Sequence, residues 1–157
     1  MKKSDVITLV NAGVLSSTQH ELGGDGYKVF KFKSQLRKEF LALQDTESYL
    51  IKECGIEDPM EFDARMLELR QLEKRSDEEE KEFESMNAKL KNLIAQKKKL
   101  HGEVVTFDVK IPLTYEQWLV LQNENRAVEI GNKKFDVFSG DVEELLFGLL
   151  WKAPEEE

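Results

Sequence analysis

Two histidines, one cysteine and 31 carboxylates are the side chains of this 157-residue chain whose types could do chemistry. His20 and His101 are distant in sequence, and neither sits in a spacing that would bring several ligands onto one metal. Surface or loop positions are expected for both. The single Cys54 excludes an intramolecular disulfide and a multi-cysteine metal site, fits a reducing intracellular compartment, and suits a small core position. Carboxylate pairs such as Glu78 and Glu82 share a helix face by spacing, but such pairs belong to solvated faces and nominate no acid and base. The sequence has no HExxH and no GxSxG, and Gly23-Gly24-Asp25-Gly26 lacks the preceding strand and closing Gly-Lys-Ser/Thr of a phosphate loop. The expectation is a protein without catalytic residues, metal or cofactor.

Two further groups have the chemistry of binding. Lys89, Lys91, Lys97, Lys98 and Lys99 form a dense basic cluster, a candidate nucleic-acid patch that lacks the aromatic interleaving of a base-stacking surface. The net charge of -8 also opposes generic attraction to nucleic acid or anionic membrane. Phe147 and Trp151 lie one turn apart in a predicted final helix whose stripe Val142, Leu145, Leu146, Leu149 and Leu150 already supplies an inward face. They are the candidate docking surface for a protein partner or a second copy, unless other elements cover them as core.

The elements that position these residues follow from periodicity. Ser4 is placed to cap a short helix over 5–15, and 16–26 reads as a connection. From 27 to 54, Val29, Lys33, Leu36, Phe40, Leu43, Glu47, Leu50 and Cys54 follow heptad spacing, with Gly55 suited to a left-handed cap. Asp58-Pro59 opens a second helix. Its apolar phase is kept from Phe62 to Phe83, which predicts continuity to about Leu100, although Ser76-Asp77-Glu78-Glu79 is a capping box that could start a fresh helix. Continuity makes 27–100 one antiparallel hairpin reversing at Gly55–Asp58, with Lys28, Lys31, Arg37 and Lys38 facing the acidic run 77–84 and Lys33 opposite Glu80.

Beyond it, 103–152 reads as a small α+β segment. Val105, Phe107, Val109 and Ile111 alternate as a half-buried strand, Thr114-Tyr115-Glu116-Gln117 opens a helix, Gly131-Asn132 turns a β-hairpin, and Asp141 caps the last helix. The tail 153–157 is expected to be disordered. No apolar run approaches the ~20 residues that span a bilayer.

In layout, the short first helix, the long charged helices with Lys33 to Glu39, the strand from Val104 to Pro112 and the Leu-rich terminal helix from Val142 to Leu150 resemble small uncharacterised proteins encoded by bacteriophages and prophages. The resemblance implies a mobile-element accessory or assembly protein and no site residues. The expected fold is α+β, mostly α: a single domain built on a long coiled-coil-like helical hairpin. The expected function is protein interaction or assembly in the cytoplasm. A nucleic-acid accessory factor is the alternative, and a small enzyme of another type comes third.

Overall fold

The computed structural model describes residues 1–154; the last three residues of the expected disordered tail, 155–157, lie outside the described residues. Six α-helices and one two-stranded antiparallel hairpin are present among the described residues: α1 (Lys3–Asn11), α2 (Gly26–Glu53), α3 (Pro59–Gln71), α4 (Asp77–Gly102), α5 (Tyr115–Glu124), β1 (Val128–Ile130), β2 (Lys133–Phe135) and α6 (Gly140–Leu146). Contacts divide the chain into two units, residues 1–42 with 103 onward and residues 43–102, and α2 belongs to both. No described helix is long and apolar enough to cross a membrane.

The second unit corrects the predicted hairpin. At the end of α2, Gly55 is left-handed (φ 76°), the Gly55 amide donates to the Lys52 carbonyl and the Ile56 amide reaches back to Ile51, so the last carbonyls are satisfied. Asp58 then caps α3 by accepting from the Met60 and Glu61 amides, with Pro59 at the first helical position where no donor is missed. This junction is not the reversal. Glu47 meets His101, Gly55 meets Lys89 and Arg65 meets Glu82, so the end of α2 and then α3 run in series antiparallel to α4. The chain reverses at 72–76 instead.

The local cap therefore prevails over the heptad phase. The Ser76 amide donates to the Glu79 carboxylate and the Glu79 amide to the Ser76 hydroxyl, which satisfies two orphan donors at the start of α4. Arg75 closes the turn from the other side: its Nε donates to the Leu69 carbonyl at 2.8 Å, its guanidinium lies over the Phe83 ring, and it pairs with Glu80. Preserved phase was misleading because two helices that pack on each other also keep their apolar stripes facing one seam. A continuous 27–100 coiled-coil hairpin is overturned. The proposed Lys33–Glu80 pair goes with it, since Glu80 bonds Arg75 while Lys33 donates to the Ser17 carbonyl and Gln19.

A side chain at Gly55 would be strained by its positive φ and would meet Lys89 Cε at 3.3 Å. Gly55→Val is expected to lower stability by about 1 kcal/mol or more in urea titration, and an unchanged midpoint would contradict this cap.

In the first unit, Lys2 rather than Ser4 is the cap residue of α1, and the Asp5 carboxylate accepts from the Lys2 amide at 2.8 Å. The helix stops at Asn11, short of the predicted Leu15, because Gly13 turns left-handed and the chain tightens into a 3₁₀ turn over Val14–Ser16. Val6 and Leu9 of α1, Val29, Phe32 and Leu36 of α2, Trp118 and Leu121 of α5, and Val142 and Leu146 of α6 form one buried cluster.

The predicted strand over 105–111 keeps its alternation only to Val109, since Ile111, expected inward, is 66% exposed, and the segment is not a ladder. Val105 and Phe107 are buried while Thr106 and Asp108 are exposed, yet among the described residues the segment has only a single bridge, Val104 with Lys2, and no neighbouring strand to extend it. The Thr114 capping box is present at the start of α5. The β-hairpin forms about Gly131-Asn132 with Ile130 opposite Lys133. Ser139, not Asp141, is the cap residue of α6.

Candidate functional site

The final helix is shorter than its leucines predict, and that sets the geometry of the site. α6 ends at Leu146, Phe147 is extended, and Gly148 adopts φ 75°, a conformation only glycine takes without strain. The chain folds back so that the Gly148 amide donates to the Trp151 carbonyl at 2.7 Å and the Leu113 amide to the Leu150 carbonyl at 2.7 Å. Phe147 and Trp151 do meet, with centroids 5.0 Å apart edge to face, but through a reversed turn and not along a helix.

Their environments are opposite. Trp151 is 6% exposed, stacked on Trp118 at 5.1 Å and touching Tyr115; it belongs to the core, with its Nε1 buried and unpartnered. Phe147 is 54% exposed. The candidate docking pair therefore contributes one surface aromatic, held from behind by the other ring.

Phe147 lines a groove of about 910 Å³ within the first unit, whose apolar walls include Val104, Phe107, Leu145 and Leu149. Val104 is 74% exposed, an unusual position for a β-branched residue in an otherwise alternating segment. Three carboxylates, Asp5 of α1 and Asp141 and Glu144 of α6, line the same groove. Asp5 is occupied by the Lys2 amide, whereas Asp141 and Glu144 have neither hydrogen-bond nor ion-pair partners among the described residues.

The extended segment adds unused backbone. Val105 exchanges hydrogen bonds with Met1, its amide donating at 2.8 Å and its carbonyl accepting from the Met1 ammonium, and the Lys3 amide donates to Glu103. The amides and carbonyls of Val104 and Thr106, which alternate to the other edge, have no partner among the described residues. The site thus combines apolar surface, two carboxylates without a hydrogen-bond or ion-pair partner among the described residues, and free main-chain groups, with the Met1 ammonium at its edge. Among the described residues no three His, Cys, Asp or Glu side chains converge as metal ligands would.

The candidate lysine patch lies in the second unit on α4. Lys91, Lys98 and Lys99 are exposed, Lys97 is half-buried, and Lys89 donates to the Gly55 carbonyl at 3.2 Å. At ~100° per residue only Lys91 and Lys98 share a direction, so the cluster fans around the helix instead of making one surface. Sequence reasoning found Phe147 but missed Val104, Asp141 and Glu144 as its neighbours. The signal present was Val104 itself, an apolar residue on the polar phase of an alternating run.

Comparison with protein-family models, curated proteins and solved structures finds no match, so no family's activity or residues transfer to this groove and the layout resemblance to phage-encoded proteins gains no support.

Proposed function

We propose that the chain is a protein-interaction module, not an enzyme, and that its groove receives a segment of a protein partner carrying both basic and apolar side chains. The observation that carries this reading is the unpaired Asp141 and Glu144 beside a floor that includes exposed Phe147 and Val104. Apolar side chains of the partner cover the floor, its cations meet the carboxylates, and its main chain can use the free groups of Val104 and Thr106. Charge sets orientation and partner choice while the aromatic supplies the anchor. A reducing cytoplasmic setting fits the buried free Cys54.

Selection from a random peptide display library against the immobilised protein tests the proposal, with the Phe147→Asp variant as counter-selection and thermal melting as the check that this variant folds. The expected result is enrichment of sequences with Lys or Arg flanking apolar residues, lost on the variant. No enrichment, or enrichment of acidic sequences, would overturn it.

A further inference from the structure

The basic half of α2 escapes the charge pairing that its sequence suggests. In the second unit, Glu80 is bonded to Arg75 and Glu82 to Arg65, whose guanidinium holds the Glu82 carboxyl below its usual range. Arg37 and Lys38 have no carboxylate partner among the described residues, and Lys31 reaches Asp108 only at 3.9 Å. On the helical wheel Tyr27, Phe30, Lys31, Arg37, Lys38 and Leu41 fall within an arc of ~120°, and all are exposed.

Two of these are large aromatics on the solvent face. Tyr27 is 68% and Phe30 58% exposed, and their rings are stacked with centroids 6.4 Å apart and planes 26° from parallel. Beside Tyr27 lies a cleft of about 170 Å³ whose walls add Lys28, itself paired with Asp25 at 3.1 Å, Lys110 and one carboxylate, Asp108. On the other flank, Phe30 and Arg37 line a cleft with Lys33. Burial first, and then the charge of Arg37, lower the Lys33 pKa.

We propose that this face of α2 binds single-stranded nucleic acid, with bases stacking on Tyr27 and Phe30 and phosphates meeting Lys31, Arg37, Lys38 and Lys110. Aromatic faces interleaved with cations at one-turn spacing match the alternation of base and phosphate along an unpaired strand, and the stripe itself contains no acid. The net charge of -8 is a property of the whole chain and opposes long-range attraction, so binding rests on the local cation–phosphate contacts, which weaken as salt rises. The site is separate from the groove at Phe147, and the two together would make the chain an adaptor between a protein and a nucleic acid.

Fluorescence anisotropy of a labelled oligothymidine with the full-length protein tests the proposal. With about four phosphates neutralised, affinity is expected to fall about 50-fold between about 50 mM and about 200 mM salt. Tyr27→Ala with Phe30→Ala is expected to weaken binding at least about tenfold at fixed salt, Arg37→Gln with Lys38→Gln to flatten the salt dependence, and Phe147→Asp to change neither. Failure of the oligothymidine to bind at low salt overturns the proposal. So does binding indifferent to the aromatic pair, or binding of phosphatidylserine vesicles in place of the oligonucleotide, which would assign the face to a membrane surface. Because the alanines and glutamines sit on exposed positions, melting curves establish folding, and the glutamine pair reports independently should the alanine pair lose structure.

Discussion

Trp151→Ser is expected to destabilise the protein by about 3–5 kcal/mol, the range for removing a large buried aromatic, whereas Phe147→Ser is expected to change stability by less than about 1 kcal/mol. The two residues touch, yet Trp151 is sealed between Trp118, Tyr115 and the last turn while Phe147 presents more than half its surface to water. The orphaned Nε1 of Trp151 already costs part of what its ring contributes. Trp151→Phe, which deletes that donor and keeps an aromatic, is therefore expected to fall between the other two. Urea unfolding followed by near-ultraviolet dichroism measures all three, and equal losses for Ser at both positions would contradict the division into core and surface.

Asn125→Ala is the second large effect, expected at about 2–4 kcal/mol from the buried groups it strands. Asn125 is one of two buried polar residues among those described, and its side chain is a junction. Its Oδ1 accepts from the Thr18 amide at 2.6 Å, and its Nδ2 donates to the Thr18 carbonyl at 2.7 Å and the Leu121 carbonyl at 2.8 Å. It thus stitches the connection after α1 to the end of α5 without secondary structure. Asn125→Asp keeps the acceptor but loses both donations and places a charge beside two carbonyls, so it is expected to be no milder than alanine. A stability loss below about 0.5 kcal/mol for alanine, within the range of ordinary surface changes, would mean that water replaces the amide without cost.

Local chemistry was legible in the sequence where a motif is closed by its own residues. Asp58-Pro59, the Thr114 box, Gly55 and the Gly131-Asn132 turn all appear where their backbone requirements place them. What failed were inferences that assumed which surface an element faces. The heptad phase from Phe62 to Phe83 is compatible with both a continuous helix and a reversal, and the Ser76–Glu79 capping box, together with Arg75 reaching back to Leu69, distinguishes them. That one choice moved the register, and with it the imagined neutralisation of Lys31, Arg37 and Lys38. The alternation from Val105 to Val109 correctly gave the buried side, but alternation reports one face of a strand and not whether a neighbour exists.

The site was half legible for the same reason. Phe147 stood out as an apolar excess beside a complete stripe, but placing Trp151 with it required the helix to continue through Gly148, where the backbone instead turns left-handed. The carboxylates of the groove gave no signal because acidic residues early in a helix are ordinary partners of its dipole. Only their position around Phe147 and Val104, with no cation bonded to either, gives them a second role.

The central claim, that the acidic groove selects a basic and apolar segment, is tested most directly by a charge swap. A peptide selected on the wild-type protein is titrated against the double variant Asp141→Lys, Glu144→Lys, and the same peptide with its cations replaced by glutamate is titrated against both proteins. At least about a tenfold loss is expected for the first pairing, with recovery when both partners are reversed. Undiminished binding of the basic peptide to the lysine variant, or no recovery with the acidic one, would contradict it.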